Sequence, residues 1–204
     1  MPGFKAVLQH LPEIGTVRRY FASYCQYSSR YDKLKAGEVM NAFKPELSNG
    51  AVMDLGIYTI YPLVVLWGRP LGISATGILL STGVDGQGAV NLEYGQGKNA
   101  TILYSKIADS SLPSEIQGED GTIVIDKIQS PDRILLKHRN GMSQDISIVG
   151  RQNEYYYEVK EFIDLVQSGD RESSVNSHLN SLITLEIIDE VRRQLGVVYP
   201  ADKN

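Results

Sequence analysis

The segment SNGAVMDLGIYTIYPLVVLWG, residues 48–68, is an apolar run with one carboxylate in it, Asp54, and a phenol four residues later, Tyr58, with Gly56 between them. On a helix, positions i and i+4 share a face, so the two polar tips meet at one spot. A carboxylate beside a phenol is equipment for binding a hydroxyl group and moving its proton, half of an active site. Gly56 removes a side chain from an adjacent position, which leaves room for a flat ligand or another backbone. The same spacing suits a purely structural helix, with Asp54 bonded to a nearby donor and Tyr58 packed in the core with its hydroxyl satisfied. Twelve tyrosines in the chain keep that second reading open.

The helix that must carry the pair has clear signals. Ser48 or Asn49 can cap it, and Val52, Met53, Leu55, Ile60, Leu63, Val64 and Leu66 supply its apolar side. Pro62 predicts a kink, and Gly68 with Pro70 predicts the end. Ahead of it, Phe4, Val7, Leu8 and Leu11 predict a helix over residues 3–11, and TVRRYFASYCQYSS predicts a strand. Residues 29–49 have no clean period and read as a long ordered loop with one helical turn at most, leading directly into the motif. After it, LGISATGILLS, GAVNLEY, NATILYS, GTIVID, RILLK and DISIV read as short strands of one meandering sheet, apolar on both faces. Helices can cover one face; a partner subunit could cover the other. Two more helices close the chain: one striped by Tyr155, Val159, Phe162, Ile163 and Val166, the next by Leu179, Leu182, Ile183, Leu185, Ile188, Val191 and Leu195. Helix, then strands, then helices predict one α+β domain over residues 1–204, an open and mainly antiparallel sheet.

Composition narrows the function classes. The 204 residues are 42% hydrophobic and 22% charged with a net charge of −4, as in a globular protein without the basic footprint of nucleic-acid binding. Cys25 is the single cysteine, which excludes an intrachain disulfide and predicts a buried inert thiol. His10, His138 and His178 have no ligand spacing, so no metal site is expected. The start has no secretory pattern, and no uninterrupted apolar run reaches the ~18 residues of a membrane span. A cytoplasmic protein is expected. YGQGKNATILYS, residues 94–105, matches a dinucleotide fingerprint by letter, but the glycines are followed by a strand instead of a helix and read as a hairpin turn.

The motif Gly50, Ala51, Asp54, Gly56, Tyr58 resembles the helix "G-A-x-x-D-x-G-x-[His or Tyr]" of the second domain of the Gfo/Idh/MocA oxidoreductases. FKAVLQHLPEIGTVRR, EIQGEDGTIVID and the two terminal helices resemble the flanking parts of that domain in the same order. The resemblance implies hydride transfer between a nicotinamide and a hydroxyl- or carbonyl-bearing carbon of a sugar or polyol. It implies Tyr58 as acid/base, Asp54 as the group orienting the substrate or a lysine, and Arg30, Tyr31 and Gly50 as substrate contacts, with Gly56 the one residue that could touch the cofactor. A phenol is a weak base near neutrality, and in the family a lysine from a preceding Rossmann domain is the cation that helps it. That domain is missing here, so NAD or NADP is implied for the full-length protein, none is expected on this chain alone, and no turnover is expected without the missing part. The family's open sheet commonly joins subunits, which implies a homodimer or larger oligomer. A non-catalytic binding or assembly module with the same sheet is the alternative.

Overall fold

The computed structural model describes residues 1–148 and 153–203. Among them, eight strands form one sheet in the order β2-β3-β4-β1-β5-β6-β7-β8. These are β1 (Val17–Cys25), β2 (Gly72–Leu79), β3 (Asp85–Tyr94), β4 (Lys98–Ser105), β5 (Ser114–Gly118), β6 (Gly121–Ile125), β7 (Ile134–His138) and β8 (Ser143–Asp145). Every pairing is antiparallel except β1 with β4, which run parallel in register from Arg19↔Asn99 to Cys25↔Ser105. The expected meander is therefore interrupted: β1, first in the chain, is inserted between β4 and β5. The last predicted strand, DISIV, is displaced. Pairing stops at Asp145, Ile146 turns into the core, and Val149 lies outside the described residues.

The helices are α1 (Pro2–His10), α2 (Ser29–Lys35), α3 (Ile57–Trp67), α4 (Glu154–Ser168) and α5 (His178–Leu195). α3 packs on α5, β1 and β4. Alternation decides which side of the sheet it covers. Tyr20 and Ala22 of β1, Ile102 and Tyr104 of β4, and Val90 and Leu92 of β3 point to the helices and are fully buried. Val52, Ile60, Leu63 and Val64 meet them with essentially no exposed surface, each worth about 1.5–3 kcal/mol of burial. The opposite face is mixed: Phe21, Leu103 and Val124 alternate with Asn91, Thr101, Glu115 and Gln117 and are partly exposed.

Two further sequence expectations are corrected. Residues 29–49 are not loop but α2 plus two 3₁₀ turns, Asn41–Phe43 and Pro45–Leu47, and Ser28 caps α2 by accepting from the amide of Arg30. These turns have a small core of their own, in which Leu34, Ala42 and Phe43 pack with Val84, Val197 and Tyr199. A core assembled from four separate segments leaves no periodicity to read. Second, neither Ser48 nor Asn49 caps the central helix, for reasons given below. α4 keeps its predicted stripe, with Tyr155 74% exposed, Phe162 67% and Val166 63%. The stripe marks an amphipathic helix, and the other described residues leave it open. The stretch Pro45–Trp67 is long and apolar enough by composition to resemble a membrane span, but half of it is buried as a core helix on the sheet. Cys25 is half-buried, and burial pushes its thiol up.

Candidate active site

β1 and β4 end together because they are parallel, and the chain leaves both at one edge of the sheet. There the amide of Gln26 donates to Ser105 (2.9 Å) and the amide of Ser28 donates to Lys106 (2.9 Å). α2 follows Ser28, and β3 begins at the same edge with Asp85. The carboxyl ends of parallel strands are where open α/β sheets place their ligands, and the central helix starts over this edge.

That helix begins with a π turn, Val52–Gly56, and continues as α3. A π turn inserts one residue into the helical ladder, a device frequent at functional sites. Pro62 is accommodated inside α3 without ending it; having no N–H, it cannot donate to the carbonyl of Tyr58 four residues earlier. Two bonds fix the turn that carries Tyr58. The buried hydroxyl of Tyr20 donates to the carbonyl of Thr59 (2.9 Å), and Thr59 donates to the carbonyl of Gly56 (2.6 Å).

Asp54 and Tyr58 project from the open side of this helix. Tyr58 is 48% exposed, and its ring stands edge-on to Tyr24 at 5.5 Å. The side chain of Asp54 is likewise 48% exposed, while its Oδ2 accepts from Lys106 Nζ at 2.7 Å. Lys106 directly follows β4 and its side chain is 4% exposed. Its ammonium also donates to the carbonyl of Ala42 (3.2 Å) and lies 5.5 Å over the ring of Phe43. The arrangement is a half-exposed carboxylate with a buried cation behind it and an exposed phenol one turn away. Such a surface can accept a ligand's hydroxyl on the carboxylate and exchange a proton through the phenol.

Asp85 explains the missing cap. From the start of β3 it accepts from the amides of Ala51 (3.1 Å) and Val52 (2.7 Å), satisfying the helix N-terminus across 34 and 33 positions of sequence. Burial pushes its carboxyl above the ordinary range, while these amides and the charge of Lys106 pull it back. Burial and the adjoining Asp85 in turn push the phenol of Tyr104 up. Tyr199 closes the floor by donating to the carbonyl of Asn49 (3.1 Å), its own phenol pushed up to about 12 by burial.

The other expected site residues fall in different places. Gly50 is buried, and a Cβ there would meet Asp85 Oδ1 at 2.3 Å, so its position serves the cap. Gly56 faces the sheet, where a Cβ would touch Val52 at 3.0 Å and Tyr104 at 3.5 Å; the group that approaches it is the ring of Tyr104. Tyr31 packs on Phe43 and Tyr27 at the rim of the small core, and Arg30 is exposed on α2. Two concavities of the surface, one of about 320 Å³ on the open sheet face beside Glu115 and Lys137 and one beside Tyr155 and Val159 of α4, are not lined by Asp54 or Tyr58. Sequence reasoning missed Lys106 and Asp85. The one available signal was position: each is a lone charge beside a run of alternating apolar residues.

Residues 11–124 match the sequence model of the GFO/IDH/MocA C-terminal domain. Scyllo-inositol 2-dehydrogenase (NADP(+)) IolU of Bacillus subtilis is 51% identical over 203 residues, covering 100% of this chain and 62% of that protein. The uncharacterized oxidoreductase YgjR of Escherichia coli is 40% identical over 205 residues, covering 99% of this chain and 61% of its own length. The chain thus spans about three fifths of these relatives. The fold is that of KijD10, a 3-ketoreductase from Actinomadura kijaniata solved with TDP-benzene and NADP, with a TM-score of 0.75 at 18% identity over 96% of this chain and 58% of that one.

Proposed function

The chain belongs to the GFO/IDH/MocA family as its C-terminal domain, and on that premise we propose that it is the substrate-binding half of a nicotinamide-dependent polyol oxidoreductase. The observation that carries this reading is the open Asp54–Tyr58 face over the carboxyl ends of β1 and β4. A hydride leaving a carbinol carbon builds positive character there, so the hydroxyl proton must leave with it. Tyr58, as its phenolate, takes that proton, and the cation that stabilises the anion comes from polypeptide that this chain does not span. Asp54 Oδ1, the carboxylate oxygen not held by Lys106, accepts a second hydroxyl of the substrate and fixes which carbon is presented. A polyol, with hydroxyls on neighbouring carbons, can engage both groups at once.

A bound nicotinamide would supply the hydride acceptor on the open side of Tyr58. The rest of the nucleotide is held elsewhere. Helix N-termini are natural phosphate sites, but the amides opening the central helix are already taken by Asp85. The phosphates then depend on polypeptide such as the two fifths of the relatives that this chain does not span. NADP is favoured over NAD on the single ground of the 51% identical relative.

The test is to fuse this chain to the remaining part of the B. subtilis relative and assay reduction of NADP with inositols and aldoses. Turnover with a polyol is expected, and the unfused chain should not quench its lone Trp67 when NADPH is added. A fusion that binds NADPH but oxidises no polyol would contradict the proposal. The same reading takes the open sheet face as the homodimer interface, because Phe21, Leu103 and Val124 are otherwise left part-exposed beside hydrogen-bonding Asn91 and Gln117. Light scattering at micromolar concentration should give twice the chain mass. A monomer, or a dimer unaffected by Val124→Asp, would remove the interface.

A further inference from the structure

We propose that Lys106 is a positioning residue of the site, a buried cation that acts through Asp54 and ties the 41–43 turn with the same amine. The inference rests on the function proposed above. Its starting point is an asymmetry. Of the two members of the pair, the ammonium is almost completely enclosed and the carboxylate is half in solvent. A lysine that merely decorates a surface keeps its charge in water and its stem on the protein; Lys106 does the reverse. Its stem and head are packed beneath the 41–43 turn, so its rotamer freedom is spent on folding and is not lost again when substrate binds.

Three neighbours divide the work of that ammonium. The carbonyl of Ala42 takes one hydrogen bond and thereby ties the 3₁₀ turn that carries Phe43, on which Tyr31 leans. The ring of Phe43 offers a second, weaker contact with the cation. Among the described residues Asp54 is the one carboxylate bonded to it. Asp85 lies close enough to feel its charge but is already bonded to the helix amides. With Oδ2 held, the carboxyl group of Asp54 is fixed in rotation and Oδ1 is aimed outward as one directed acceptor. The 41–43 turn, with Tyr31 of α2 against it, and the helix bearing Tyr58 are then indexed to a common point. A tether for the loop alone would need no charge: an uncharged donor could bond the carbonyl of Ala42, and buried ion pairs are often replaceable by apolar side chains without loss of stability.

The experiment is a double-mutant cycle in the fusion protein, with Lys106→Met, Asp54→Asn and the pair together. Lys106→Met should lower kcat/KM for the polyol about 100-fold with the KM for NADP unchanged, yet less than about 3-fold when Asp54 is already Asn. Equal losses in both backgrounds would overturn the proposal, since Lys106 would then not work through Asp54. Lys106→Gln, which keeps a donor for Ala42 without the charge, covers the case in which Met prevents folding. Retention of kcat/KM within about 3-fold by Gln would equally overturn it. Urea unfolding of the same variants of the unfused chain separates the two claims. Additive destabilisation would refute the pairing itself, whereas coupled pairs in a fusion without turnover would leave the pairing standing and place the fault with the proposed function.

Discussion

Tyr58→Phe is expected to lower kcat of the fusion protein by about a thousandfold, the usual contribution of a positioned acid/base, while leaving its stability unchanged within about 0.5 kcal/mol. The two parts of this expectation have separate causes. The phenyl ring stays, so the edge-on contact with Tyr24 stays, and a half-exposed hydroxyl takes no buried bond with it when it goes. What is lost is the oxygen proposed to take the substrate proton. The substrate's KM should change little, because its hydroxyl can still reach Asp54. Steady-state rates with the best polyol, beside a thermal melt, check both parts. Normal turnover would show that the proton leaves by another route.

Asp85→Ala is expected to have the largest effect on stability, about 3 kcal/mol at neutral pH and on the order of 10 °C in Tm. The substitution leaves the amides of Ala51 and Val52 without their acceptor in a place closed to water. It also deprives Lys106 of a neighbouring negative charge. The pH dependence follows from the direction of the shift. The folded protein holds the Asp85 carboxyl above its unfolded value, so the folded state binds the proton more tightly and this group favours folding most at low pH. Its contribution is full below the ordinary carboxylate value near ~4 and declines as pH rises through the folded value. The stability difference between the parent and Asp85→Ala should therefore widen from pH 7 to pH 4, measured by urea unfolding at each pH. A difference that narrows would mean that the amides and Lys106 outweigh burial.

How far the sequence alone reached depends on whether the deciding contact was local. The helix with Asp54 and Tyr58 was legible because its apolar side repeats at helical spacing and its polar pair falls at i and i+4. Most of the strands were legible through alternation, and the family through the residues of one motif. The insertion of β1 beside β4 was not, because a parallel pairing across some 80 residues leaves no trace in either strand. The cap was sought at Ser48 and Asn49, the local candidates, and was supplied by Asp85 instead. Lys106 looked like an ordinary charge ending a strand; only the packing of the 41–43 turn over it makes it a buried cation. Gly56 was read as making room for a flat ligand or another backbone, and Gly50 as a substrate contact by resemblance; in the fold each admits a neighbour from within the chain. The stripe of α4 was read correctly as a stripe, but periodicity cannot say what covers it.

The central claim is that the Asp54–Tyr58 face is one wall of a cleft whose other wall holds a nicotinamide. The most direct test is a crystal structure of the fusion protein with NADP and a polyol. It should place the nicotinamide C4 about 3–3.5 Å from a substrate carbon whose hydroxyl bonds Tyr58, with a neighbouring hydroxyl on Asp54. A nicotinamide seated away from that face, or a Tyr58 covered by protein in the closed enzyme, would contradict it.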